Sequence, residues 1–303
     1  MISKYTKNSV TWIDISSPTS EEVKSLKDEF LFSDKVIEEI LTPTLRTQSD
    51  IYEDYFFAVM HFPTLEGVKK GSRRAEVDFI LGKHFLITIH YENIESMNDF
   101  GAILDRFLSQ SPVELRNPGH LFALFAEELY KTSNRDLDKI DKTLDDIEKN
   151  IFDGKERKMV NVLSESIHKL IDYDHAIRFH DHVYEDLKKP GSDMYGQTFL
   201  SDIDQLIDSL EALSERQRFL REAVDEFKST NDTLLQHKTT DAMKTLTMMS
   251  FVIFPLSLIA GIFGMNTKNM PIVDGPNSFW FIISFMFAVS IFMFMFFKWK
   301  KWI

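Results

Sequence analysis

The sequence predicts an α+β membrane protein: a cytoplasmic α/β domain, then a long helical stalk continuous with the first of two C-terminal transmembrane helices. Three observations carry this. Residues 246–265 (LTMMSFVIFPLSLIAGIFGM) and 278–297 (SFWFIISFMFAVSIFMFMFF) are uncharged runs of twenty residues each, and at ~1.5 Å rise per residue each spans roughly 30 Å, the thickness of a bilayer's hydrocarbon core. No glycine or proline occurs from Gln197 until Pro255, so one helix can run from the soluble body into the membrane. The first half of the soluble part is rich in aromatic and β-branched residues, and the second half has helical periodicity. The division that follows is an α/β domain at 1–118, a helical region and stalk at 119–240, and a membrane domain at 241–303.

In chain order, residues 10–15 read as a short strand and 20–41 as helical segments ending before Pro43. Residues 51–62 and 76–90 read as strands, with Gly82-Lys83 as a turn. Helices are predicted over 120–152 and 155–189, the latter broken by Pro190-Gly191, and from Gln197 onward. The last of these covers roughly 85–90 Å before Pro255. The second apolar run ends in Lys298, Trp299, Lys300, Lys301 and Trp302. Aromatics and lysines suit the membrane–water interface, and the lysines place this end in the cytoplasm. Two crossings return the chain to the side on which it began. Met1-Ile2-Ser3-Lys4-Tyr5 leads into polar residues with no apolar signal core, so both termini are expected in the cytoplasm and the 266–277 linker outside the cytoplasmic membrane.

The chain of 303 residues carries a formal net charge of −12 and no cysteine. The charge argues against nucleic-acid binding, which needs a basic surface, and fits a body that attracts cations or simply a solvated acidic face. The absence of cysteine excludes disulfides and thiolate metal sites. No nucleophile–base arrangement, phosphate loop or dinucleotide fingerprint occurs, so an enzyme and a catalytic cofactor are not expected.

Wheeling the first span at about 100° per residue puts Thr240, Met243, Thr247, Ser250, Phe254, Ser257 and Gly261 on one stripe. Hydroxyls and glycine in a row either form a close helix–helix seam or line a water-filled path. Pro255 frees a backbone carbonyl, which suits a helix facing protein or water rather than lipid. Two spans cannot enclose a conduit, so a pore needs several copies around one axis.

Immediately after this span comes Gly264-Met265-Asn266, followed by Thr267-Lys268-Asn269-Met270-Pro271. This placement, with the preceding 254–263 segment FPLSLIAGIF and the Lys-rich tail, resembles the CorA family of divalent-cation channels, with the related ZntB-type zinc transporters close behind. Residues 55–63 and 79–90 extend the resemblance more weakly into the soluble domain. The resemblance implies a homopentamer in contact with membrane lipid that carries Mg²⁺ or Co²⁺ (alternatively Zn²⁺), the same ion serving as a possible regulator. It implies a selectivity mouth at Gly264, Met265 and Asn266, where amide carbonyls accept hydrogen bonds from the ion's tightly held water shell. It also implies pore-lining positions at Thr240, Ser257 and Gly261, to which the stripe adds Thr247 and Ser250, and a hydrophobic gate at Met243, Leu246 and Phe254. Thr240 stands where the family commonly has asparagine, and Ile272 where many members carry glutamate, leaving Asp274 as the acid of that loop.

Two groups in the soluble part are candidate metal ligands. His168, Asp172, His175, His182 and Asp186 share a face if one helix carries them all, and either converge on a metal or form a solvated polar face. Asp202, Asp204 and Asp208 begin the stalk, in the region of the family's ion-sensing carboxylates, although an ungapped match puts Gln205 at the expected acidic position. A reading of another class is a membrane-anchored coiled interaction or sensor protein without transport.

Overall fold

The computed structural model describes residues 2–7, 9–64, 74–91, 115–265 and 277–300. Packing divides the chain into two units, Met1–Lys228 and Ser229–Ile303.

The first unit is built on a six-stranded sheet. Its strands are β1 (Ile2–Lys7), β2 (Val10–Ser16), β3 (Gln48–Ile51), β4 (Tyr55–Pro63), β5 (Arg74–Gly82) and β6 (Phe85–His90), arranged β1-β2-β6-β5-β4-β3. Only β2 and β6 run parallel, Ile13 lying opposite Ile87. The other neighbours are antiparallel. Every residue of β4 is buried, which explains a sequence with no polar alternation: both faces of this strand are covered. Gly82 closes β5, and Lys83-His84 make the turn to β6. A Cβ at Gly82 would fall 2.3 Å from the Phe85 ring.

One face of the sheet packs on α1 (Ser20–Phe30) and α2 (Asp34–Glu39), the helical segments expected within 20–41. Thr19 and Glu22 form a reciprocal capping box at the start of α1. Leu31 then adopts the left-handed conformation at φ 58° and ends the helix. Val23, Leu26, Phe32, Val36 and Ile40 meet Ile13, Ile15, Phe57, Val59, Ile80, Ile87 and Ile89 in one apolar cluster. Burying each such side chain contributes about 1.5–3 kcal/mol.

The opposite face is covered by helices. Asn117 caps α3 (Pro118–Phe152), its side-chain oxygen accepting from the His120 amide at 2.8 Å, with Pro118 in the first turn. From α3, Phe125 meets Trp12 and Phe122 meets Phe79, with ring centres 4.9 and 5.0 Å apart. The helix expected over 155–189 is two: α4 (Glu156–Ile177) and α5 (His180–Tyr195), separated by a turn at Arg178-Phe179. Pro190-Gly191 does not break α5, because Phe199 fills the space a side chain at 191 would need and packing holds the helix on to Tyr195. The turn lies instead where His180 enters the core beside Tyr130 and Phe62. The edge strands β1 and β3 are the elements sequence patterning misses, since their residues are exposed or only half-buried.

From Gln197 a single helix, α6 (Gln197–Phe263), runs without interruption through Pro255. It carries the stalk and the first apolar run together, and α7 (Ser278–Trp299) carries the second. Phe199, Ile203, Leu206, Leu210, Leu213, Leu220 and Val224 form its buried stripe in the first unit.

A Cβ at Gly191 would lie 2.0 Å from the Phe199 ring, which is fully buried. Gly191→Ala is therefore expected to destabilise the first unit by about 1–3 kcal/mol. Thermal unfolding of the detergent-solubilised protein measures this, and adding Phe199→Leu should restore part of the loss.

Candidate functional site

In the second unit, α6 and α7 are each long and apolar enough to cross a membrane, and neither has a residue of its most apolar stretch buried within the chain. The two meet where the Phe251 and Phe297 rings lie 6.5 Å apart. Along α6, partial cover recurs in a row at Met248, Val252, Leu256, Ile259 and Phe263, and also reaches Ser250 and Pro255. At 100° per residue this stripe lies roughly 170° from the one holding Thr240, Met243, Thr247, Ser250, Phe254, Ser257 and Gly261. Ser250 apart, the hydroxyl-bearing side of α6 thus faces away from the side its own chain partly covers. Met243, Leu246 and Phe254 are 67%, 66% and 72% exposed, far too much for core residues.

The chemistry of the stripe follows from its hydrogen bonds. Ser250 Oγ donates to the Leu246 carbonyl at 3.0 Å. Its only proton is therefore used inside the helix, and its oxygen presents lone pairs outward. Pro255 lacks an N–H, so the Phe251 carbonyl loses its intrahelical donor. Both features offer acceptors, which suit a cation or the hydrogens of its water shell.

The two glycines differ. Gly264 follows the last turn of α6 and donates its amide to the Ala260 carbonyl at 2.9 Å. A Cβ there would approach that oxygen to 3.0 Å. Glycine at 264 is thus favoured by crowding at the helix end; the backbone there is not left-handed. At Gly261 a Cβ would meet nothing within 4 Å. Nothing described in this chain requires a small residue at 261. Met265 closes the turn, its amide donating to Ile262 at 3.2 Å. Asn266, Lys268, Ile272 and Asp274 lie outside the described residues.

The candidate ligands in the first unit are dispersed. His168, Asp172 and His175 lie on α4, but His182 and Asp186 lie beyond the Arg178-Phe179 turn on α5, so the five do not share one helix face. The Asp186 carboxylate accepts from the Ser49 hydroxyl at 2.6 Å. No group of three or more His, Asp or Glu side chains among the described residues is placed to hold a metal ion. Asp202 is tied by Arg116, whose Nη2 reaches its two oxygens at 2.7 and 2.9 Å. Asp204 lies 3.2 Å from Lys188, which also bonds Glu185 at 2.6 Å. Asp208 lines a cleft of about 270 Å³ between α3 and α6, with Glu127, Gln205 and Ser209. His120 lies in the same wall, its pKa lowered by burial and then by the Arg116 charge. Spacing alone gave no sign of the neutralising partners Arg116 and Lys188, which are distant in sequence.

An α/β body followed by a helix that becomes the first of two apolar spans defines a two-span membrane protein of the α+β class. Residues 7–300 match the family described as CorA-like Mg²⁺ transporter protein, and the chain belongs to that family of transporters. YfjQ of Bacillus subtilis (strain 168), to which metal-ion transport is ascribed, is 27% identical over 96% of this chain and 89% of its own. The cobalt/magnesium transport protein CorA of Thermotoga maritima is 22% identical over 97% of this chain and 83% of its own. The complete structure of the CorA magnesium transporter from Methanocaldococcus jannaschii superposes with a TM-score of 0.84 at 19% identity, covering 99% of this chain and 93% of that one. That likeness includes the sheet domain and the long helix leading into an apolar span.

Because Gly261 has open space around it in its own chain, Gly261→Val should leave thermal unfolding of the soluble unit unchanged. If another copy packs there, the same substitution reduces the assembled mass in detergent or the transport rate. Light scattering and vesicle uptake read the two effects separately.

Proposed function

We propose that this chain is the pore-forming subunit of a homo-oligomer, most simply a pentamer, that carries Mg²⁺, and Co²⁺ as a second substrate, across the cytoplasmic membrane with both termini in the cytoplasm. The observation that carries the reading is the polar stripe of α6, opposite the side partly covered within its own chain and leading to Gly264-Met265 and, by sequence, to Asn266. A stripe of acceptors exposed on an apolar helix is stable in a bilayer only against water or other protein, and two spans supply neither alone.

In this reading Gly264, Met265 and Asn266 form the mouth. Asn266 amide carbonyls receive the hydrated ion without stripping a shell that Mg²⁺ gives up reluctantly. Thr240, Thr247, Ser250, Ser257 and Gly261 line the path. Met243, Leu246 and Phe254 form apolar rings that exclude water until the subunits spread. The carboxylates Asp202, Asp204 and Asp208, with His168, Asp172 and His175, are weaker candidates for a regulatory ion, because two of them already have cationic partners within the chain.

Uptake of Mg²⁺, Co²⁺ and Zn²⁺ into reconstituted vesicles tests the reading. Zn²⁺ uptake alone would reassign the ion, and no uptake of any of the three would favour a membrane-anchored interaction protein. Asn266→Ala should abolish uptake in an oligomer that still assembles. Leu246→Asn should wet the gate and leak at internal Mg²⁺ levels that silence the unmodified protein. Val252→Asn, on the partly covered side of the helix, should impair packing without opening a path. A leak from Val252→Asn and none from Leu246→Asn would place the path on the other side of α6.

A further inference from the structure

The sheet of the first unit buries two acids that ion conduction does not use. Glu76 and Asp78 lie two residues apart on β5, so both point to the same face, with Cα atoms about 7 Å apart. They are 3% and 0% exposed. Their face is the one covered by α2 and by the α2–β3 connection, residues 40–47.

Each acid holds part of that connection. Glu76 Oε2 accepts from the Thr44 amide at 2.6 Å and lies 3.4 Å from His61 Nε2. That His61 nitrogen is also 2.9 Å from the Thr44 carbonyl, which can only accept, so Nε2 carries a hydrogen. Thr47 Oγ1 meets the other ring nitrogen at 3.2 Å. Asp78 Oδ2 is 3.0 Å from the Tyr91 hydroxyl, which is 3.1 Å from the Ile40 carbonyl. The remaining oxygens, Glu76 Oε1 and Asp78 Oδ1, are buried with no hydrogen-bonding partner among the described residues.

Proton counting decides the charge state. If Asp78 were ionised, two carboxylates would face each other in a buried site, with Glu76 Oε1 and Asp78 Oδ1 lacking a donor among the described residues. A proton on Asp78 that is donated to Glu76, its hydrogen-bonding neighbour, removes that conflict while the Tyr91 hydroxyl still donates to Asp78 Oδ2.

We propose that Glu76 and Asp78 are a buried proton-binding site, with the proton held on Asp78 while Glu76 stays ionised, and that this proton latches the α2–β3 connection to the sheet. Release of the proton to bulk water leaves two negative charges in one apolar site, and the connection opens to hydrate them. The surroundings agree with this assignment. Burial first, then the Glu76 charge, push the Asp78 pKa well above the usual carboxylate range, with the Tyr91 bond opposing. From α2 only Glu39 adds charge, and Lys35 and Gln48 engage it. Opposite Asp78, β4 and β6 present Val59 and Ile89. His90 faces the other side of the sheet, 3.5 Å from Asp14. The folded chain keeps a proton that the unfolded chain loses near the ordinary carboxylate pKa. Stability therefore falls as pH rises from there through the raised pKa, and Asp78→Asn should remove that slope.

Infrared spectroscopy of the full-length protein in detergent tests the site. The carbonyl stretch of a protonated carboxylic acid should be present at neutral pH, disappear as pH is raised, and be missing from Asp78→Asn. Exchange of the Thr44 amide, corrected for base catalysis, should accelerate over the same pH range in the unmodified protein and not in Asp78→Asn. A band that persists in a folded Asp78→Asn protein overturns the assignment. Should that variant fail to fold, Glu76→Gln carries the test: removing the neighbouring charge should move the loss of the band to lower pH, and an unmoved midpoint overturns the proposal.

Discussion

A helix that passes from water into hydrocarbon must satisfy its own backbone throughout, because lipid offers no hydrogen bonds to a peptide group. The length and composition of α6 follow from this constraint. Its first turns bury Phe199, Ile203, Leu206 and Leu210 within the first unit, and its later turns hold the polar stripe from Thr240 to Gly261. With no glycine or proline from Gln197 until Pro255, the chain has no residue that would stop the helix between these two environments. The single proline frees the Phe251 carbonyl within the first apolar run.

The sheet domain meets a related demand. With helices on both faces, β4 and most of β5 and β6 lie in an apolar interior, so each polar group there needs a partner. The Trp12 indole donates to Thr88 at 2.9 Å, and Thr88 donates to Asp14 at 2.6 Å. Tyr130 Oη lies 2.7 Å from His180 Nδ1 and 2.6 Å from the Tyr184 hydroxyl. Burial lowers the His180 pKa to about 3, so its ring is neutral at physiological pH. These networks join neutral or singly charged groups, whereas Glu76 and Asp78 place two acids in one buried site.

Charge on the stalk is arranged differently again. A net charge of −12 suggests a surface ready to collect cations, yet Asp202 and Asp204 are held by Arg116 and Lys188. Asp208 borders the α3–α6 cleft with the neutral Gln205 and with Glu127, whose carboxylate lies 2.8 Å from Lys131. Exposed pairs of this kind contribute little to stability, around 0–1 kcal/mol. Their larger effect is on local potential, because they cancel charge where a bare sequence suggests accumulation.

Sequence alone determined what depends on local composition and period. The two apolar runs, the unbroken stretch after Gln197, the strands containing Val10–Ser16, Tyr55–Pro63 and Phe85–His90, and the polar stripe are all legible from residues near one another in the chain. Contacts between distant residues required the tertiary structure. The exposed edge strand β1 has no apolar pattern and exists because β2 pairs with it. The break at Arg178-Phe179, and the continuation of α5 through Pro190, depend on how His180 and Phe199 pack. The same reason hid the partners of Asp202 and Asp204 and the meeting of Glu76 and Asp78 with Tyr91 and Thr44. Side-chain charge and hydrogen bonding act over a few ångströms of space, and only the folded chain brings residues 44, 76, 78 and 91 within that range.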